Sequence, residues 1–264
     1  MRDLYFAVFS AAITALALTT YGVRLMVRGA ATSDRTAKVQ SSVLLGRGLI
    51  EMGYWAMTPL ANGCVALGIT ANGLTWASLA VAAGSGFALA TGRFGLATLL
   101  MYLAVIGDVL DGQVARATGK SSDSGEVLDA SVDRYGEFAM VGGMIYFYRL
   151  AAIPMLIAMG ALLASFMVSY STAKAEALGV PPPRGPMRRH ERGTYMIVGS
   201  FFSCVLGGAI AARWPTLPAG LPILAALTVI ATIGNYSAVL RLTRTAGLLR
   251  ARQDEREGQA GSGH

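Results

Sequence analysis

Long apolar runs alternate with short polar segments along this chain, and the runs have the length of membrane spans. From about residue 4 to 23 no charge interrupts the sequence, and ~20 apolar residues suffice to cross the hydrocarbon core. Six further runs fall at about 72–91, 94–115, 129–149, 151–172, 194–212 and 221–240. The pattern predicts an all-α integral membrane protein with a six-helix core and an extra N-terminal transmembrane helix. The first run lacks the basic start and small-residue cleavage site of a secretory signal. It is read as a retained span, with a signal peptide as the alternative. Residues 41–67 mix small, apolar and a few polar side chains. Arg47 and Glu51 stand one turn apart there, and Tyr54 and Trp55 suit the headgroup level. That stretch predicts an amphipathic helix on the cytoplasmic face, a plain linker being the alternative. The resulting plan is an N-terminal helix and basic linker (1–40), a membrane domain (41–245, including the interfacial helix 41–67) and a polar, Gly-rich tail (246–264) expected to be disordered.

Composition sharpens this picture. Only 14% of residues are charged and 54% are hydrophobic, whereas a soluble domain carries about 25% charged residues. The net charge of +7 does not point to nucleic acid, because the excess sits in short segments flanking apolar runs, as the positive-inside rule describes. Arg24, Arg28, Arg35 and Lys38 follow the first run, the 173–193 loop is basic, and Arg93, Arg149 and Arg213 are the few charges on the other side. The N-terminus is therefore expected outside and the basic ends in the cytoplasm. Cys64 and Cys204 lie in separate apolar segments and imply neither a disulfide framework nor a zinc site. His190 and His264 are too few for a histidine-based metal centre.

One stretch breaks the apolar pattern. Of the 15 acidic residues, seven fall between Asp108 and Glu137, and intramembrane carboxylates are costly and usually functional. Asp108 and Asp111 share a helix face at the end of one predicted helix, as Asp129 and Asp133 do at the start of the next. The Gly- and Ser-rich linker from about Arg116 to Gly125 can turn the chain back. Four carboxylates then face one another, which requires cations. Hard oxygen donors without His or Cys suit Mg²⁺ or Mn²⁺, with Ca²⁺ a possible binder, and paired metals suit chemistry at phosphate. Gly112 and Ala115 leave room for a ligand, and Arg116 can fork onto a phosphate. The alternative is a purely structural set of pairs with Arg116, Lys120 and Arg134.

The pattern D-x2-D-G-x2-A-R-x8-G-x3-D-x3-D resembles the signature of the CDP-alcohol phosphotransferases. Asp108, Asp111, Gly112, Ala115, Arg116, Gly125, Asp129 and Asp133 match every fixed position. The resemblance covers about residues 55–245. It implies a six-helix core and metal-dependent transfer of a phosphatidyl group from CDP-diacylglycerol to an alcohol, with release of CMP. It further implies metal binding by Asp108, Asp111, Asp129 and Asp133, with two Mg²⁺ or Mn²⁺ ions, and Asp133 as general base. The CDP site would be lined by Asp108, Asp111, Gly112, Ala115, Arg116 and Gly125. Thr70, Asn72 and Thr75 are similar to a Thr-Pro-Asn-x-x-Thr segment of that family, with Ala71 in place of Pro, and add Asn72 and Thr75 to the CDP site. A plain helix cap is the alternative there. The resemblance also implies a homodimer.

The segment SYSTAKAEALGV and the following PPPRGPMRRHERG resemble the layout of bacterial phosphatidylinositol-phosphate synthases at Ser169, Tyr170, Ala173, Lys174, Ala175, Glu176, Arg189, Glu191 and Arg192. His190 stands where those enzymes have Pro. The implied acceptor is inositol 1-phosphate, held by Arg134, Lys174, Arg189 and Arg192. Topology alone also places basic residues in such a loop. Glycerol 3-phosphate, serine, choline or another acceptor remain alternatives, and a divalent-cation transporter is the non-enzymatic one. A transporter's acidic residues should line a path through the bilayer, whereas here they stay on one side.

Overall fold

A computed structural model describes residues 2–28 and 47–261 of the chain. Among them the protein is helical throughout, with no strand. The helices are α1 (Arg2–Arg28), α2 (Arg47–Ala66), α3 (Ala71–Ala90), α4 (Phe94–Ala117), α5 (Asp123–Phe147), α6 (Ala152–Ala177), α7 (Arg189–Arg213), α8 (Leu221–Val229) and α9 (Asn235–Gly261). A single π-helical turn, Ile230–Gly234, joins α8 to α9 into one long helix. Such a turn leaves backbone carbonyls poorly paired. The Asn235 side chain compensates by donating to Ala231 O at 2.7 Å and to Gly160 O of α6 at 3.0 Å.

Among the described residues six helices are long and apolar enough to cross a membrane: Arg2–Arg24, Ala71–Ala90, Phe94–Ala117, Ala152–Ala177, Arg189–Arg213 and Leu221–Glu257. The expected span at 129–149 is a helix of the bundle too, but Glu126, Asp129, Asp133, Arg134 and Glu137 load its first half with charge. α5 sits against α3 and α6. At the centre, alanines 88, 97, 158, 161 and 164 bring helices close around Leu89, Met144, Ile223 and Leu227, all buried.

The α4–α5 turn is short. Gly119 takes a left-handed conformation, φ 66°, and Lys120 N–H returns to Ala115 O at 3.0 Å, closing α4 in the Schellman manner. Ser122 then caps α5 by accepting from Gly125 N–H at 3.2 Å. α5 therefore begins at Asp123, six residues earlier than its apolar run suggests. α7 likewise begins at Arg189 rather than 194, because the Glu191 carboxylate accepts from the Arg188 N–H at 2.8 Å and caps a polar first turn.

The two ends of the bundle differ. At the end holding the α3–α4, α5–α6 and α7–α8 turns, Tyr148 donates to Ala219 O (3.0 Å) or Gly220 O (3.1 Å). Phe94 and Phe147 stack edge-on there, and Arg149 and Arg213 lie over Tyr146 and Trp214. α1 starts at this end: the Asp3 carboxylate accepts from Gly95 N–H (2.8 Å) and Leu96 N–H (2.9 Å). These are free donors in the first turn of α4, where negative charge is favoured. α1 runs beside α4 to the opposite end, where Tyr21 and Arg24 meet Trp55 of α2.

The stretch expected to form an interfacial helix is helical as α2, from Arg47; residues 41–46 of that expectation, and linker residues 29–40, lie outside the described residues. The expected disordered tail is corrected. α9 continues to Gly261, because the stretch after Thr245 is rich in Ala, Leu, Arg, Gln and Glu, all strong helix formers. Arg250 and Asp254 are also spaced to pair on one face. Residues 262–264 lie outside the described residues.

α3 and α5 cross at two glycines. A Cβ on Gly86 would lie 2.2 Å from Ala139 O, and one on Gly143 would lie 2.1 Å from Gly86 O. Gly143→Ala must push the helices apart, at a cost of about 1–3 kcal/mol. The thermal midpoint of the detergent-solubilised protein is expected to fall; an unchanged midpoint would exclude this close crossing.

Candidate active site

The last turns of α4 and the first three turns of α5 carry all eight residues of the acidic pattern, and the tight turn between them sets the two helices face to face. Asp108, Asp129 and Asp133 each place a carboxylate oxygen within 4.8 Å of the others. The Asp108 side chain is 37% exposed and that of Asp133 9%, so the cluster opens at Asp108 and closes towards Asp133. Asp111 stands apart from this trio. It is buried, and its Oδ2 accepts from the Thr75 hydroxyl at 2.7 Å. Thr75 thus ties the start of α3 to the acidic pair of α4.

The small residues have local reasons. A Cβ on Gly112 would lie 3.1 Å from Arg116 Nη1, so the glycine leaves space for the Arg116 guanidinium to fold back along α4. Gly125 gives its N–H to the Ser122 cap. Ala115 is half-buried on the same helix. Thr70 caps α3 through Gly73 N–H at 3.2 Å, and Asn72 is exposed in the first turn. The 70–75 segment is therefore both a helix cap and, through Thr75, part of the site.

Three of the four expected acceptor residues converge here. The Arg189 guanidinium, from the first residue of α7, pairs with Asp133 and approaches Asp108 Oδ1 at 3.4 Å. Arg134 Nη1 bonds Glu137 Oε2 at 2.8 Å and touches Ser169 Oγ on α6. Arg192 Nη2 bonds Glu137 Oε1 at 2.7 Å, with its side chain only 3% exposed. Lys174 does not join them: it is exposed in the last turn of α6, and its side chain makes no hydrogen bond or ion pair among the described residues. Glu137 and Ser169 were not anticipated as site residues. Glu137 had a legible signal, standing four residues after Asp133 and hence on its face. The structural alternative for the carboxylates named Arg116, Lys120 and Arg134 as partners; the cation that reaches Asp108 and Asp133 is instead Arg189.

Three carboxylates against one guanidinium leave formal negative charge in a partly buried corner, where like charges must be neutralised. The donors are all hard oxygens, and neither His nor Cys is among them. This set fits a Mg²⁺- or Mn²⁺-class cation.

The profile of the CDP-alcohol phosphatidyltransferase family matches residues 68–240, which contain every residue of this cluster. The chain belongs to that family. It is accordingly a membrane-embedded transferase, and the transporter alternative falls away. Among similar proteins, the phosphatidylinositol phosphate synthase of Mycobacterium marinum is 32% identical over 189 residues, covering 67% of this chain and 76% of that one. The synthase of Streptomyces avermitilis is 27% identical over 207 residues, covering 76% of this chain and 85% of that one. The crystal structure of the Mycobacterium tuberculosis phosphatidylinositol phosphate synthase in complex with manganese and citrate has the same fold. Its TM-score is 0.63 at 24% identity, over 72% of this chain and 88% of that one. The same enzyme with CDP-DAG bound gives a TM-score of 0.62. The family profile starts just before α3, so α1 and α2 lie outside the matched stretch.

Thr75→Val keeps the size of the side chain but leaves a buried Asp111 oxygen without its donor, a loss of about 1–3 kcal/mol. Transferase activity is expected to drop in Thr75→Val and to return in Thr75→Ser. Equal activity in all three proteins would show that the bond does not orient Asp111.

Proposed function

We propose that this transferase moves a phosphatidyl group from CDP-diacylglycerol to inositol 1-phosphate, giving phosphatidylinositol phosphate and CMP. The observation that carries the reading is the meeting of Arg134, Arg189 and Arg192 beside the acidic cluster. A neutral or zwitterionic alcohol such as serine or choline has no use for three guanidiniums, whereas a phosphorylated one needs them. The named relatives support the same choice.

Asp108, Asp111, Asp129 and Asp133 would hold the divalent cations. Bound there, these ions supply neutralisation of the diphosphate and of the charge developing on departing CMP. Arg116, flanked by Gly112 and Ala115, would grip the nucleotide side of the diphosphate, with Gly125, Asn72 and Thr75 bordering it. Asp133 is the base that takes the proton of the acceptor hydroxyl. In this structure it is paired with Arg189, and a paired carboxylate is a poor base. The phosphate of the acceptor competes for the same guanidinium, so acceptor binding frees Asp133 as the hydroxyl arrives. Atoms balance simply: the acceptor oxygen bonds the β-phosphorus, the bridging oxygen leaves with CMP, and the proton passes to Asp133.

The site end is read as cytoplasmic. Arg24, Arg116, Lys120, Lys174, Arg184 and Arg188 lie at that end, against few cations at the other, as the positive-inside rule demands. Asp3 and the N-terminus then lie outside. A homodimer is part of the same reading.

CMP release from CDP-diacylglycerol should be measured with inositol 1-phosphate, glycerol 3-phosphate, serine and free inositol in parallel. Turnover is expected with inositol 1-phosphate, lost on chelation with EDTA and restored by Mg²⁺ or Mn²⁺. Preference for serine or free inositol overturns the acceptor assignment. Asp133→Asn should lower turnover by roughly 10²–10⁴-fold while CDP affinity is retained; ordinary turnover would remove Asp133 as the base. Arg189→Gln should raise the acceptor KM more than the KM for CDP-diacylglycerol.

A further inference from the structure

Glu137 takes no part in the acidic cluster, yet it is the most heavily committed carboxylate beside it. Its side chain is 13% exposed, and each oxygen holds a different guanidinium: Oε2 takes Arg134 at 2.8 Å and Oε1 takes Arg192 at 2.7 Å. Arg134 has a second anchor in Ser169. For the Arg192 side chain, Glu137 is the sole hydrogen-bond partner among the described residues, and Arg192 Nε and Nη1 are buried with none. A buried charged donor left without an acceptor is costly and calls for a ligand. Two guanidiniums against one carboxylate also leave a positive charge, so the missing ligand is an anion.

We infer that Glu137 is a positioning residue, which clamps Arg192 beside Arg134 so that the two free donors of Arg192 meet the phosphate of the acceptor. This rests on the phosphorylated-acceptor reading given above. The geometry explains why a carboxylate is needed. Two guanidiniums repel each other, and a planar carboxylate with one oxygen for each holds them at fixed spacing without consuming the remaining donors. A purely structural ion pair would have no reason to leave Nε and Nη1 of its buried partner unused.

The test is a double-mutant cycle read in steady-state kinetics of CMP release with inositol 1-phosphate. Glu137→Gln keeps the shape and removes the charge. It is expected to raise the acceptor KM about tenfold, while the KM for CDP-diacylglycerol and the affinity for Mn²⁺ stay within about twofold. Glu137→Asp, one methylene shorter, should show a smaller rise. Because Glu137 acts through Arg192, adding Glu137→Gln to Arg192→Ala should raise the acceptor KM no further. An unchanged acceptor KM in both single variants overturns the inference. So does an additive effect in the double variant, or an equal rise in both substrates' KM. If Glu137→Gln does not fold, Glu137→Asp alone carries the comparison. A wild-type protein that uses no phosphorylated acceptor overturns the acceptor reading itself. A wild type that does, with Glu137 variants like it, sinks the Glu137 role only.

Discussion

Three carboxylates within 4.8 Å of one another at the edge of a membrane bundle are the constraint on which the rest of this structure turns. They repel one another in a partly buried site, and nothing apolar can relieve them. The fold brings a cation from a third helix: Arg189 opens α7 and reaches Asp108 and Asp133. That requires α7 to start at one fixed height, and the segment before it is strapped down accordingly. Arg241 of α9 donates to Met187 O at 2.9 Å and to Thr172 Oγ1 of α6 at 3.0 Å. Ser237 lies against Met187 as well, and Arg244 holds Arg184 O at 2.9 Å. Polar residues in the first half of α9 thus serve the placement of Arg189 and Arg192.

The opposite end is built on different terms. It carries edge-on aromatic rings, a tyrosine hydroxyl bonded to carbonyls before α8, and the Asp3 carboxylate, which meets N–H groups that the start of α4 leaves free. α1 is fastened to the far end of α4 by Asp3 and to α2 by Trp55 near the site end. It lies outside the stretch matched to the family, and its two attachments brace the very helix that carries Asp108 and Asp111.

Much of this was readable from the sequence because the signals were local. Apolar runs gave the spans, and fixed spacing on a helix gave the facing carboxylates. The misreadings share a physical cause. Helix α5 starts at Asp123 and α7 at Arg189 because capping by Ser122 and Glu191 extends helices into polar residues, where an apolar run has already ended. The tail was read from its polarity, but polar residues with high helix propensity continue a helix once one is nucleated. Lys174 was grouped with the arginines by motif order, yet it sits exposed on the last turn of α6. Glu137 was missed because its partners come from one neighbouring turn and from a helix more than fifty residues away. Its spacing from Asp133 and Arg134 marks its face, but the pairing with Arg192 has no local sequence signature.

Taken together, the acidic residues of α5 form a single graded stripe. Asp129, Asp133 and Glu137 recur every four residues and so share one face, each step rising roughly 6 Å along the helix. The first belongs to the cluster suited to divalent cations. The second shares that cluster and, in the proposed mechanism, takes the proton of the acceptor. The third never faces a cation of that kind; it is spent on two guanidiniums. On the proposed reading, charge along this face changes its task from holding cations for a diphosphate to holding cations for a second phosphate. In the proposed reaction a small phosphorylated polyol spans that step, with its reacting hydroxyl at Asp133 and its phosphate at the arginines. A helix is stiff enough to keep those two points in register, which a loop carrying the same residues would not do.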